Sequence, residues 1–189
     1  MTGRFPRAST PFPLAGRHGA DAVAVIDPQH LRHVFSHVPT GVTILTARTS
    51  QGPVGMACNS FGSVTLEPPL VLFCPAKAST TWPRIRAAGR LCCVNILARQ
   101  HETLGRRLSL RGVDRFAAGR WHDRIGGPGL DDAAAWIDCT IEAEHEAGDH
   151  VIVVAAVLSV EAGRAETEPL VFHRRGYGSF LRDVSPLCS

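Results

Sequence analysis

The sequence predicts a mainly β protein, an antiparallel barrel carrying a few short helices at its periphery. Two observations lead there. Seven or eight strand-length stretches follow one another as neighbours, with only three short helical patterns among them. The chain therefore lacks the regular strand–helix alternation of a doubly wound parallel sheet. The strands also turn back on tight loop chemistry, Ser50-Gln51-Gly52-Pro53 and Gly148-Asp149, which joins antiparallel neighbours. No internal repeat is visible.

Residues 1–25 hold Arg4, Pro6, Arg7, Pro11, Pro13 and Arg17 without periodicity, and are expected to form a disordered tail. Order starts at Asp27-Pro28, an N-cap followed by proline at the first helical position. The helix runs to about His37 with Leu31, Val34, Phe35 and Val38 on one face. Val42, Ile44 and Thr46 then alternate with Thr43 and Leu45 as a β-branched strand, and Val54 to Asn59 returns as its hairpin partner. Phe61 to Leu66 is a third strand, stopped by Glu67-Pro68-Pro69. Leu70 to Cys74 is apolar throughout, the pattern of a central strand.

Ser79-Thr80-Thr81 caps a short helix through Ala88, with Gly89 as its stop. Leu91 to Leu97 is a buried strand and Arg99 to Leu108 a helix; residues 109–132 read as a loop pinned by Phe116 and Trp121. In Trp136 to Glu146, Ile137, Cys139, Ile141 and Ala143 share one face, while Asp138, Thr140, Glu142 and Glu144 share the other. That is a half-exposed antiparallel strand. Val151 to Val160 and the short Leu170 to His173 complete the set, and nothing is read after Tyr177. The domain is placed at 26–180, with 181–189 as a C-terminal tail.

Composition narrows the function. The 189 residues suit one domain, and 44% hydrophobic with 20% charged residues is ordinary for a globular chain. A net charge of +3, from 20 basic and 17 acidic side chains, is too balanced to argue for nucleic acid. Nineteen of the basic residues are arginine and Lys77 is the sole lysine. With Ala, Gly and Pro abundant, this reads as the codon bias of a GC-rich genome, most arginines being solvated surface. No run of eighteen apolar residues predicts a membrane helix, and no apolar stretch follows the early arginines as in a signal peptide. The six cysteines, at 58, 74, 92, 93, 139 and 188, form no CxxC pair and fit neither a zinc site nor a disulfide ladder. Adjacent Cys92 and Cys93 point to opposite faces of their strand. Buried free thiols in a reducing cytoplasm are expected.

No GxGxxG, Walker A, GxSxG or HExxH motif is present. Gly126-Gly127-Pro128-Gly129 lacks a strand–helix context and reads as plain loop. His30, His33 and His37 share a helix face, but no acidic or cysteine ligand lies nearby, so no metal is assigned. Four segments remain. Gly55-Met56-Ala57-Cys58-Asn59-Ser60-Phe61-Gly62-Ser63 joins two strands yet is dense in small polar residues. It is either a wide bulge or a surface on which a planar ligand meets backbone N–H groups and hydroxyls. Cys74-Pro75-Ala76-Lys77-Ala78-Ser79-Thr80-Thr81-Trp82-Pro83 opens a helix with hydroxyls and the lone lysine, either a phosphate site or simple N-capping by Ser79. His150, in the turn Gly148-Asp149-His150, alone reads as an ordinary turn residue. Phe172-His173-Arg174-Arg175-Gly176-Tyr177 offers rings and cations to a pyrophosphate or nicotinamide, or is an arginine-rich edge.

Taken in order, Pro39-Thr40-Gly41-Val42-Thr43, the 55–69 stretch, Ser79 to Ile85, Val94-Asn95-Ile96-Leu97, Asp114-Arg115-Phe116 and Gly148-Asp149-His150 resemble the short-chain flavin reductases. These are the reductase components of two-component flavin-dependent monooxygenases. The resemblance covers about residues 27–178. It implies a flavin-binding split β-barrel of Greek-key type, homodimeric, with flavin near the subunit interface. It implies that Met56 to Ser63, with Cys74, Ala76, Lys77, Ala78, Ser79 and Thr81, hold FAD or FMN. His150, Phe172, His173, Arg174, Arg175 and Tyr177 are expected to meet NADH or NADPH. His150 orients the nicotinamide, and no side chain is assigned a catalytic proton transfer. The implied activity passes hydride from NAD(P)H to flavin and supplies reduced flavin to a separate oxygenase. The competing readings are a split-barrel oxidase like the pyridoxamine phosphate oxidases and a non-catalytic flavin- or haem-binding protein. The sequence departs from the family at Asn59, where many relatives carry serine, and at Arg175-Gly176, where Gly-Asp or Gly-Gly is common.

Overall fold

A computed structural model of the chain describes residues 26–108, 116–164 and 166–180. The expected tails, and Asp114-Arg115 of the resemblance, lie outside the described residues. In chain order the elements are α1 (Pro28–Phe35), β1 (Thr40–Gly41), β2 (Thr43–Thr49), β3 (Gly52–Cys58), β4 (Gly62–Leu66), β5 (Pro69–Phe73), α2 (Trp82–Ala87) and β6 (Leu91–Ile96). A 3₁₀ turn (Arg99–His101) leads into α3 (Glu102–Leu108), followed by β7 (Trp121–Asp123), β8 (Pro128–Leu130), β9 (Ala135–Ala147), β10 (His150–Ala162), β11 (Leu170–His173) and β12 (Gly176–Ser179). Seven strands form one sheet in the order β3-β2-β6-β9-β10-β5-β4, antiparallel at every pairing. β1, β11 and β12 form a second small sheet, and β7 and β8 a ribbon. The architecture is mainly β, as the spacing of the strands predicts. Among the described residues no helix is long and apolar enough to cross a membrane.

The middle of the large sheet is covered on both faces. Leu45, Val54, Val71, Phe73, Cys92, Val94, Ile141 and Val153 meet on one face, sealed by Trp82 and Ile85 of α2. The Phe73 and Trp82 rings meet edge to face at 5.7 Å. Val42, Ile44, Cys93, Leu97, Leu104, Leu108, Leu130, Trp136 and Leu170 form a second core on the other side. Cys92 and Cys93 accordingly enter different cores, as strand alternation requires. The five described cysteines are free.

Two-sided burial corrects several expectations. Residues 42–47 show no inside–outside alternation: all are buried, because β2 lies between β3 and β6 under cover on both sides. β5 is not central but second from the edge, between β10 and β4. Asp138 does not face solvent; it is 1% exposed. The 109–132 stretch is more than loop, since it contains β7 and β8, and Gly126-Gly127-Pro128-Gly129 is buried. A Cβ on Gly126 would lie 2.1 Å from the Cys92 carbonyl oxygen, so only glycine lets this segment lie on β6. The anchors Phe116 and Trp121 hold, with ring centroids 4.7 Å apart and the Trp121 indole donating to the Phe116 carbonyl at 3.1 Å. A further strand, β12, extends beyond Tyr177 to Ser179. α1 is capped by Asp27, whose carboxylate accepts from the Gln29 and His30 amides. It ends at Phe35, and its apolar face enters neither core: Leu31, Val34, Phe35 and Val38 are all exposed.

A polar knot holds the 126–130 segment against the sheet. The Asn95 amide donates to the carbonyls of Ile44 and Pro128 and to the Thr46 hydroxyl, and its oxygen accepts from the Leu130 amide at 2.6 Å. The Asp138 carboxylate accepts from the Gly126 amide at 2.9 Å and pairs with Arg124 at 3.1 Å. Arg124, its side chain 9% exposed, also pairs with Glu161 and lies over the Trp136 ring at 5.4 Å. Removing one member of such a buried pair strands the other charge, at a cost of about 3–5 kcal/mol. Asp138→Ala is therefore expected to lose about that much stability, read as a lower urea midpoint, with Asp138→Asn losing less because the amide oxygen still accepts from Gly126.

Candidate functional site

Three of the four singled-out segments meet at one rim of the large sheet. Its edge strands, β3 and β4, are consecutive in the chain and joined through Asn59-Ser60-Phe61. Ser60 fastens this connection to the end of β5. Its hydroxyl accepts from the Cys74 amide at 2.8 Å and donates to the Cys74 carbonyl at 3.3 Å. The Cys58 thiol lies 3.2 Å from the same hydroxyl. Burial pushes the Cys74 thiol up, and the bond to Ser60 opposes that only in part. It is a weak nucleophile at neutral pH.

The next seam joins residues 75–77 to the β9–β10 turn. The Lys77 amide donates to the Asp149 carbonyl at 2.9 Å, and the Val151 amide to the Pro75 carbonyl at 3.0 Å, around a bridge between Ala76 and His150. Gly148 allows the turn at φ 59°. His150 is half-buried at the rim, its Nδ1 2.7 Å from the Asp149 carboxylate. That hydrogen bond is the main cause holding the Asp149 carboxyl below its usual value, followed by the charge of His150. The Arg32 charge on α1 adds to it.

Met56 and Cys58 point into the first core, whereas Ala57 packs against the second with Phe172 and Tyr177. Phe61 also packs on the first core, and Asn59, Ser60, Gly62 and Ser63 remain at least partly exposed. A Cβ on Gly62 would meet nothing within 4 Å, so its face is open space. Ala76, Lys77, Ala78 and Ser79 are likewise accessible, but Thr81 is 6% exposed. Ser79 itself caps α2, its hydroxyl accepting from the Thr81 and Trp82 amides, and Lys77 pairs with Glu146 at 3.2 Å. The simple-capping reading of Ser79 thus holds for those two amides. A phosphate would meet the segment ahead of them, at Ala76 to Ser79.

The fourth segment meets the residues just after α1. Phe172 and Tyr177 face each other across β11–β12 with centroids 5.1 Å apart, and Arg106 covers the Tyr177 ring at 4.7 Å. The Arg174 amide donates to the Ser36 carbonyl at 2.8 Å, and its guanidinium contacts His37 Nδ1 at 3.0 Å. Asp149, Arg32, Glu146 and His37 are the neighbours that motif reading misses. Only Gly148-Asp149-His150 hinted at the first, and nothing in the His30/His33/His37 spacing pointed to Arg174 as a partner of His37.

The assembled rim is shallow, small-residued and rich in amides and hydroxyls. Those features suit a planar, hydrogen-bonding ligand more than an apolar one. A concave surface of about 520 Å³ lies elsewhere, along Gln100, Trp136, Glu161 and Arg164, and includes none of these segments. Ser60 is the residue on which the rim's shape rests. Ser60→Ala leaves the Cys74 amide without its acceptor and is expected to cost about 1–3 kcal/mol, seen in urea unfolding.

Comparison with known proteins adds a family. The model of the flavin reductase like domain matches residues 35–181. The reductase subunit HsaB of a flavin-dependent monooxygenase from Mycobacterium tuberculosis is 41% identical over 156 residues, covering 82% of this chain and 83% of that protein. A flavin reductase of Pseudomonas putida is 42% identical over 160 residues, covering 83% and 92%. Among solved structures, the NADH:FAD oxidoreductase SgcE6 of Streptomyces globisporus, in complex with NAD and FAD fragments, superposes with a TM-score of 0.77. It is 33% identical and covers 85% of this chain and 98% of that one.

Proposed function

The chain belongs to the flavin reductase family, and from that premise we propose that it is an NAD(P)H-dependent flavin reductase feeding reduced flavin to a separate oxygenase. The observation that carries this is the stitching of residues 59–63, 74–79 and 148–150 into one rim through Ser60–Cys74 and Ala76–His150. Relatives that are reductase subunits support the oxygenase partner. Residues 26–180 are the working unit, with 1–25 and 181–189 as tails. Five free thiols suit a cytoplasmic setting.

The donor set fits a flavin. Asn59, Ser60, Gly62 and Ser63 offer amides and short polar side chains along an open face, and Ala76 to Ser79 receive the phosphate end. Flavin, when bound, supplies the hydride acceptor, so the protein needs neither a nucleophile nor a general base. What this chain contributes is orientation. Asp149 holds His150 by its Nδ1, which leaves Nε2 as the atom that meets the nicotinamide carboxamide. Backbone and short side-chain groups of residues 59–63 would meet the polar edge of a bound flavin and hold it in place.

A homodimer with a split barrel in each subunit completes the site. Its support is that the rim is open in one chain, and that Leu31, Val34, Phe35 and Val38 on α1 lie uncovered. Size-exclusion chromatography with light scattering should return twice the monomer mass of 20.3 kDa.

The deciding assay follows absorbance at 340 nm with NADH or NADPH, each paired with FAD or FMN. Multiple-turnover oxidation that depends on added flavin is expected, and the four rates rank the pairs. No oxidation in any pair, with flavin binding verified, would sink the proposal. Loss of the His150 contact removes about one hydrogen bond, so His150→Ala is expected to raise the nucleotide KM or lower kcat by roughly tenfold. Unchanged kinetics would remove His150 from the site.

A further inference from the structure

Lys77 is the cation of the segment to which the flavin phosphate is assigned, and it already has a partner. Its Nζ lies 3.2 Å from the Glu146 carboxylate. Strand pairing explains the contact. Glu146 stands opposite Val151 across β9 and β10, and the Val151 amide donates to the Pro75 carbonyl, two residues before Lys77. The seam that ties residues 75–77 to the β9–β10 turn thus carries a carboxylate to the lysine.

A neighbouring pair shows what a purely structural bridge looks like here. Glu144, two residues earlier on the same face of β9, pairs with Arg86 of α2 at 3.2 Å. Its side chain is 24% exposed, and it stands opposite Val153 of the first core, so this pair clamps α2 to the sheet. The Glu146 side chain is 79% exposed. Backbone bonds already hold residues 75–77 to the turn without it. Exposed lysine–carboxylate pairs are weak, so this one exchanges readily. The segment offers an anion little else. The Ser79 hydroxyl is bonded to the Thr81 and Trp82 amides, and Asp149, whose carbonyl accepts from the Lys77 amide, brings a second carboxylate.

We infer that Glu146 competes with the flavin phosphate for Lys77 and thereby sets how readily flavin leaves. The inference rests on the proposed seating of flavin at this rim. A phosphate arriving at Ala76 to Ser79 engages Lys77 only by breaking its bond to Glu146, and the displaced carboxylate then faces a like charge. Both effects weaken the hold on the phosphate, and neither touches the ring end of the flavin. When the phosphate departs, Glu146 takes the lysine back. Glu146 is accordingly a positioning residue for Lys77 and not a catalytic one. Such a competitor suits a protein that passes its flavin on.

The test compares FMN with riboflavin, which differ only in the phosphate, by fluorescence titration of wild type, E146Q, K77M and K77M/E146Q. E146Q is expected to bind FMN about threefold more tightly, the size of one exposed ion pair, and to bind riboflavin unchanged. Because Glu146 is exposed, its melting temperature should stay within about 2 °C of wild type. In the K77M background the gain for FMN should vanish. In turnover, the KM for FMN should fall with the dissociation constant while the nucleotide KM holds. An equal gain for both flavins, a gain that persists without Lys77, or no gain at all each overturns the competition and leaves the reductase standing. Wild type that binds FMN no more tightly than riboflavin overturns the phosphate seat at Ala76 to Ser79, and the inference with it. Wild type that oxidises no nucleotide overturns the reductase itself.

Discussion

One antiparallel sheet that must be dry on both faces governs this molecule. Single-sheet proteins usually leave one face to water, and their strands alternate accordingly. Here α2 closes one face over Phe73, while α3, the 116–134 segment and β11 close the other over Ile44 and Trp136. The second closure brings loop backbone into the interior, where every N–H and C=O needs a partner. Asn95, Thr46 and Asp138 supply those partners, and glycine at 126 allows the approach. The covering segments thus occupy both faces, and what is left open is the rim where strands end and turn.

That rim is the proposed seat of the chemistry. Hydride transfer between two bound rings asks for placement and not for proton relay, so amides and short hydroxyls serve better than a constellation of titrating groups. The connection from β3 to β4 is held by one hydroxyl, Ser60, and the β9–β10 turn by two backbone bonds. Loops fixed in this way are stiff at their roots and open at their tips. This suits a protein that must seat a flavin and then release it.

Much of this was legible in the residues. Asp27-Pro28 announced its helix, the 91–97 run its buried strand, and Phe116 and Trp121 their anchorage. The order of six short motifs pointed to the family. What periodicity could not reveal was cover on both sides. Asp138 alternates with apolar neighbours as a solvent-facing residue would, and only the approach of Arg124 from 14 positions earlier in the chain explains its burial. Gly126 to Gly129 carries the composition of a surface turn because glycine serves both exposed turns and tight contacts. The apolar stripe of α1 is legible as one face, but periodicity reports that a face seeks cover, not whether the same chain provides it.

Eight residues are too few for a helix to persist in water by its own hydrogen bonds, and α1 buries no residue against its own chain. Its order therefore draws on whatever shields Leu31, Val34 and Phe35 and on the Arg174 turn that grips Ser36. Those two supports act on one small element, so their free energies are coupled. Whatever steadies the Arg174 turn therefore also steadies the apolar stripe, because the Ser36 carbonyl joins the two.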